Sequence, residues 1–174
     1  NNIDCVQMTP SRLTLLLCTD RTMQSLQNVK VIIVGGEDFP AKLLSALHSR
    51  ISARVYNAYG PSEATIWVSY SELLDSKVNI GMPMHGTRFY ILDELGEQVG
   101  ENIVGELYIG GNNLALGYLA NEKETNARFI YSAVCEERLY RTGDLCKKSK
   151  GKYYWVGRVD NQVKIQGYRI EMEE

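Results

Sequence analysis

The sequence of 174 residues lacks a charge excess: 19 Lys and Arg stand against 21 Asp and Glu, a formal net charge of −2. Without a basic field, nucleic acid is not a default partner. No apolar run approaches the ~20 residues of a membrane-spanning helix, so no membrane partner is expected. The opening Asn1-Asn2-Ile3-Asp4 has no basic segment of a secretory signal, and the missing initiating Met is read as the mark of a fragment or excised domain. Cysteine is sparse. Cys5, Cys18, Cys135 and Cys146 show no CxxC spacing and no neighbouring His, which argues against a zinc site and against a disulfide framework. Reduced thiols in a cytoplasmic protein are expected. The two histidines, His48 and His85, stand alone and are assigned no chemistry. What is present, 44% hydrophobic and 23% charged residues, is a globular composition large enough for one core or two small subdomains.

The first third alternates helix and strand signals. Ser11–Leu17, after Pro10, puts Leu13, Leu16 and Leu17 on one helical face. Val29–Val34 is a β-branched run that reads as a strand buried on both faces, and it ends in Gly35-Gly36. Pro40–Arg50 reads as an amphipathic helix on Leu43, Leu44 and Leu47, and Arg54–Ala58 as the next strand. Strand, Gly turn, helix, strand is the parallel α/β unit, whose ligands bind at the carboxyl ends of strands. Farther on, Arg88–Asp93 and Glu106–Ile109 read as a hairpin or meander punctuated by glycines, with a short helix over Glu122–Phe129 capped by Asn121. The fold class expected is α/β: part of a doubly wound parallel-sheet subdomain followed by a small antiparallel β-barrel-like subdomain. Its spans are 1–74, 75–157 and 158–174, the last being a charged segment with Gly167 in an alternating pattern.

Several stretches carry side chains suited to chemistry. Gly35-Gly36-Glu37 offers backbone N–H groups to a phosphate or a base edge, or is an ordinary strand-to-helix turn. Tyr59-Gly60-Pro61-Ser62-Glu63 presents an aromatic face, a hydroxyl and a carboxylate within one turn, suited to a purine, a phosphate oxygen and Mg²⁺. The plain alternative is a type I or II turn with a solvated Glu63. Tyr140-Arg141-Thr142-Gly143-Asp144 places an acid after a Gly turn, fit for a ribose diol or for capping the turn. Arg158 and Asp160 suit a phosphate clamp or a surface ion pair.

In order, NAYGPSEATIW, VGELYIGGNNLALGYL with NARF, YRTGDL and GRVDNQVKIQGYRIEMEE resemble the adenylation domains of nonribosomal peptide synthetases, in the adenylate-forming, AMP-binding superfamily. QMTPSRLTLLL and VIIVGGE look like the family as well, so the resemblance covers essentially the whole chain. It implies a ligase that activates an amino acid with ATP and Mg²⁺ as the aminoacyl-adenylate. The acyl group then passes to the phosphopantetheine thiol of a peptidyl carrier protein domain, among adjacent synthetase domains. Carried over position by position, Asn57 and Tyr59 border the adenine. Ser62, where the family usually has Thr, lies near the α-phosphate, and Glu63 binds Mg²⁺. Asp144 holds the ribose, Trp155 takes the place of a ribose-side aromatic, Arg158 meets ribose or phosphate oxygens, and Asp160 is the hinge.

The amino-acid pocket would draw on Gln7, Ile32, Val34, Ala58, Ile66 and Trp67. Val34 and Trp67 take up volume, and Gln7, Ile66 and Trp67 resemble the signature of glycine-activating domains, which points to glycine or another small amino acid. Asn113 and Leu116 depart from the family's usual GLARGYL pattern and are read as affecting surface contacts. A Ser/Thr/Gly-rich loop ending in Lys, an upstream Asp for the substrate amine and a C-terminal catalytic Lys are not found, so the chain alone is expected to have little adenylation activity. A stand-alone loader of the D-alanine type, an acyl- or aryl-CoA ligase, a non-catalytic binding module whose turn and Gly signals are structural, and a purely structural α/β piece are the competing readings.

Overall fold

The computed structural model describes residues 3–160, 162–165 and 168–170. Gly167 and residues 171–174 of the expected C-terminal segment lie outside the described residues.

Strand β1, Cys5–Met8, runs into helix α1, Pro10–Leu17, at Thr9, whose side chain accepts the Arg12 N–H while Pro10 supplies a preset first turn. A short helix α2, Asp20–Gln24, precedes β2, Val31–Gly35. Helix α3, Ala41–Arg50, opens at the extended Pro40 and leads to β3, Arg54–Tyr59. Strands β1, β2 and β3 are parallel neighbours, with Val6 opposite Ile32 and Ile32 opposite Val55. Beside β3 lies β4, Ser69–Glu72. Leu13 of α1 and Leu44 and Leu47 of α3 cover Ile32, Val34 and Val55, and all but Val55, at 2%, have no exposure. Val31 and Ile33, on the other face, are half-buried. The run Val29–Val34 is thus wholly buried on one face only.

Strand β5, Met82–Pro83, follows β4 at the edge of this sheet. A curled antiparallel half-barrel is built from β6, Thr87–Leu92; β7, Val104–Gly111; β8, Phe129–Ser132; β9, Glu137–Ser149; and β10, Lys152–Arg158, with helix α4, Glu122–Arg128, just before β8. The order is β10-β9-β7-β6, with β8 also on β9. The expected hairpin is β6 against β7, Phe89 opposite Ile109. Asn121 caps α4 by accepting the Glu124 N–H at 3.1 Å. Phe89, Leu107, Ile109, Phe129, Tyr140 and Tyr153 fill the core, with Tyr153 edge-on to Phe89 at 5.2 Å between ring centres. Two short strands, β11, Val163–Ile165, and β12, Tyr168–Ile170, pair antiparallel.

Two compact units result. One takes in Asn1–Ala58, Tyr70–Asn79 and Asn161–Glu174, the other Tyr59–Ser69 and Ile80–Asp160. They interleave, where contiguous blocks were expected. The physical reason is local: Ala64 and Val68 are fully buried in the half-barrel core, so the turn after β3 packs with the second unit. Among the described residues no helix is long and apolar enough to cross a membrane.

Candidate functional site

The turn that follows β3 is built on a close backbone approach. A Cβ on Gly60 would lie 2.1 Å from the Ile66 carbonyl oxygen, so only glycine fits. A single 3-10 turn, Ser62–Ala64, follows Pro61, and then Thr65 and Ile66 take left-handed conformations, φ 63° and 69°. Two consecutive β-branched residues in that region are a costly arrangement that surrounding structure must hold. Ser62 is exposed, whereas Glu63 is only 6% exposed. Glu63 is therefore not a solvated turn residue. The Tyr118 hydroxyl donates to its Oε1 at 2.6 Å, and burial first, then this bond, push the phenol well above its usual range.

A second carboxylate gathers the rest of the expected residues. Gly143 and Asp144 do not follow a turn: they sit inside β9, where three residues, Thr142–Asp144, lie opposite the single Leu107 of β7. This bulge re-aims Asp144 into the unit. The Thr142 hydroxyl, which donates to the Leu107 carbonyl at 2.7 Å and accepts the Asp144 N–H at 2.9 Å, fixes it. The Asp144 carboxylate then receives the Tyr59 hydroxyl at 2.5 Å, the Trp155 indole N–H at 3.0 Å and Arg158 Nη1 at 2.8 Å. Arg158 turns its fork on Asp160, at 2.6 and 2.8 Å, and donates to the Thr142 carbonyl at 3.2 Å. The Arg158–Asp160 ion pair of the alternative reading is present, with 13% and 28% side-chain exposure, and Arg158 also pairs with the more buried Asp144, 10% exposed, where solvent screens little. Burial opposes the charge on Arg158, but Asp160 and Asp144 outweigh it and hold the guanidinium protonated. Burial, then the charge of Asp144, pushes the Tyr59 phenol far up. Cys146, buried beside this cluster, is an inert thiol raised by desolvation. Tyr59, Asp144, Trp155, Arg158 and Asp160 are thus brought together. A carboxylate ringed by an aromatic hydroxyl, an indole and a guanidinium can exchange those donors for the hydroxyls of a sugar diol.

A sequence model of the AMP-binding enzyme family matches residues 1–119. The chain belongs to the AMP-binding enzyme family. Bacitracin synthase 3 of Bacillus licheniformis is 40% identical over 178 residues, covering 97% of this chain and 3% of that protein. The solved structure of a holo four-domain nonribosomal peptide synthetase bound to AMP and glycine is 34% identical, with a TM-score of 0.84 over 99% of this chain and 13% of that one. Another nonribosomal peptide synthetase protein, with adenylation and carrier (PCP) domains bound to a vinylsulfonamide inhibitor, is 29% identical, TM-score 0.88, over 98% of this chain and 31% of that one. The chain spans a small part of each relative.

Of the other expected site residues, Gly35, Gly36, Asn57, Gln7, Ile32, Val34 and Ala58 fall in the first unit. Gly35 ends β2 and Gly36 has φ 86°. Glu37, next in line, accepts the Ser11 N–H at 2.9 Å and its hydroxyl at 2.7 Å, tying the loop to the start of α1. Asn57 is buried and donates its amide to the Asn79 carbonyl at 2.9 Å. Gln7 pairs with Ile33 and Ala58 with Gly35, so both lie on the opposite face of the sheet from Ile32 and Val34. Ile32 and Val34 are sealed in the core and Gln7 is exposed, so these four do not form one wall here. Ile66, 62% exposed, and the half-buried Trp67 belong to the second unit. Tyr118 and Asn113 went unpicked as site residues. Asn113 does more than shape a surface: its amide donates to the Ala64 carbonyl at 2.9 Å, and its own carbonyl accepts the Thr65 hydroxyl at 2.7 Å.

Proposed function

We propose that this AMP-binding family member forms part of an amino-acid adenylation domain of a nonribosomal peptide synthetase. The observation that carries the reading is the convergence of Tyr59, Trp155 and Arg158 on the buried Asp144 carboxylate. In this reading the ribose hydroxyls of ATP donate to Asp144, with Tyr59 and Asn57 toward the adenine and Gly35-Gly36 offering backbone N–H groups. A substrate carboxylate oxygen attacks the α-phosphorus, the bond to the β-phosphate breaks, and pyrophosphate leaves. Ser62 and Arg158 present a hydroxyl and a cation to the phosphate oxygens as charge redistributes over them. The thiol of a carrier-bound phosphopantetheine then attacks the acyl carbon, and AMP leaves as the thioester forms. Rotation about Asp160 separates the two half-reactions.

Mg²⁺ fits the donors present. Among the described residues no group of three or more His, Cys, Asp or Glu could cage a metal. A single buried carboxylate, Glu63, is what a Mg²⁺ ion shared with substrate phosphates uses. When bound, the ion supplies charge neutralisation at the phosphates.

Glycine or another small amino acid is the proposed substrate. The half-buried Trp67 beside Ile66 supports it, as does the 34% identical synthetase solved with glycine. A peptidyl carrier domain is the proposed partner, supported by the relative that joins adenylation and carrier domains. Amino-acid-dependent ATP–pyrophosphate exchange by the complete protein, across a substrate panel, tests the reading. Exchange with glycine or alanine that is lost in Asp144→Ala is expected. Exchange only with a fatty or aryl acid would move the protein to the CoA-ligase branch. ATP binding untouched by Asp144→Ala and Glu63→Ala would leave a module whose turns are structural.

A further inference from the structure

We propose that Tyr118 is a positioning residue for Glu63, the working tip of a clasp formed by residues 113–118 that holds the Glu63 carboxylate in the orientation that takes a divalent cation. The inference rests on the reading of Glu63 as the cation-side carboxylate.

The clasp is defined by bonds between two segments far apart in sequence. Tyr118 donates its hydroxyl to Glu63 Oε1 at 2.6 Å. The Ala115 N–H donates to the Glu63 carbonyl at 2.8 Å. Asn113 donates to the Ala64 carbonyl at 2.9 Å and accepts from the Thr65 hydroxyl at 2.7 Å. Backbone and side chain of Glu63 are therefore both gripped from the same loop.

The turn needs that grip. Thr65 and Ile66, immediately after Ala64, hold left-handed conformations that β-branched residues avoid. A turn in that state relaxes unless outside contacts over-determine it. The 113–118 loop supplies such contacts at three successive residues, Glu63, Ala64 and Thr65.

The tip is itself anchored. The Tyr118 N–H donates to Thr125 Oγ1 of α4 at 2.9 Å, and its ring packs edge-on to Phe129, 5.8 Å between centres. Gly117 has φ 155°, and a Cβ there would lie 2.5 Å from Thr125 Cγ2, so the loop meets α4 at a point where only glycine fits. A line of contacts runs from α4 through Thr125 and Tyr118 to Glu63. A hydrogen bond from a neighbour fixes a carboxylate ligand's rotamer, and its loss typically costs about 10–100-fold in metal affinity.

The test compares Tyr118→Phe, Glu63→Gln and the double variant in the complete protein, over a range of Mg²⁺ concentrations. Tyr118→Phe keeps the ring and removes only the donor. Its half-saturating Mg²⁺ in ATP–pyrophosphate exchange is expected to rise about 10-fold or more, with the KM for the amino acid unchanged. Binding of Mn²⁺ with a non-hydrolysable ATP analogue, followed by electron paramagnetic resonance, is expected to weaken in parallel. Adding Tyr118→Phe to Glu63→Gln should shift nothing further. Normal cation dependence in Tyr118→Phe beside an impaired Glu63→Gln overturns the clasp and leaves Glu63 in its role. A wild-type-like Glu63→Gln overturns the reading beneath it. A Tyr118→Phe rate lowered equally at every Mg²⁺ concentration marks a merely structural tyrosine and also overturns it. If Tyr118→Phe does not fold, Thr125→Val takes its place: it removes the Tyr118 backbone anchor, and an unchanged Mg²⁺ requirement there refutes the inference.

Discussion

Arg158 passes so close to Gly143 that no side chain fits between them: a Cβ on Gly143 would lie 2.7 Å from Nη2 of Arg158 and 2.9 Å from Asp160 Oδ2. Gly143 also has φ 74°. Gly143→Ala is therefore expected to strain the backbone and push the guanidinium off Asp144 together. A loss of ~1–3 kcal/mol in urea unfolding is expected from the backbone alone. A raised KM for ATP without a matching change for the amino acid is expected from the displaced Arg158.

The phenol of Tyr59 gives the fold an alkaline weakness. Burial first, and the Asp144 charge second, raise it in the folded state. The unfolded chain ionises this tyrosine near pH ~10, so above that pH the folded state binds more protons than the unfolded one. Its contribution is complete below that pH and is lost as pH climbs toward the raised value. Stability measured by denaturant titration from pH 8 upward should fall, and Tyr59→Phe should flatten that decline while starting lower for want of the bond to Asp144. An equally steep decline in Tyr59→Phe would assign the effect elsewhere.

Two leucines of the half-barrel unit separate packing from surface. Leu107 has no exposure and Leu116 is 96% exposed. Leu107→Ala is expected to cost ~2–5 kcal/mol by leaving a cavity, and Leu116→Ala no more than ~0.5 kcal/mol. Thermal unfolding of the two variants side by side reads the difference.

Ile66 holds φ 69° while exposing most of its side chain. Glycine at that position removes the left-handed penalty of roughly 1–2 kcal/mol and adds back ~0.5–1 kcal/mol of chain entropy. Ile66→Gly should therefore melt at or above the wild-type temperature. If Ile66 lines the amino-acid pocket, the same variant loses substrate discrimination in exchange assays, a stability gain paired with a functional loss. A clear drop in melting temperature would show that the residue packs more than its exposure indicates.

Local pattern made much of this legible. The leucine periodicity of α1 and α3 and the β-branched run of β2 announced the first unit, and Asn121 announced α4, because each signal is contained within a few neighbouring residues. What escaped depends on partners distant in sequence. Gly143 reads as a turn glycine until β7 is laid beside β9 and the extra residues become a bulge. Ile32 and Gln7 read as members of one pocket until strand register puts them on opposite faces. Asn113 reads as a surface variation because its partners, Ala64 and Thr65, lie 49 and 48 residues away. Glu63 could be read as a cation ligand or as a solvated turn residue with equal reason, since nothing in its turn reveals Tyr118, 55 residues on.

The interleaving of the two units bears on how such a segment can be inherited. The chain passes from one unit to the other at 58/59, 69/70, 79/80 and 160/161. A recombination breakpoint between 69 and 80 would bring in Asp144, Trp155 and Arg158 from one parent and leave Tyr59 and Glu63 from the other. The tyrosine would then meet a foreign Asp144, and Glu63 a foreign Tyr118. Exchange of the whole stretch 59–160 keeps each of these pairs with its own partner and carries Ile66 and Trp67 along. Chimeras joined on either side of that stretch inherit a finished half-barrel, whereas those joined inside it must reconcile two ancestries at the same carboxylates.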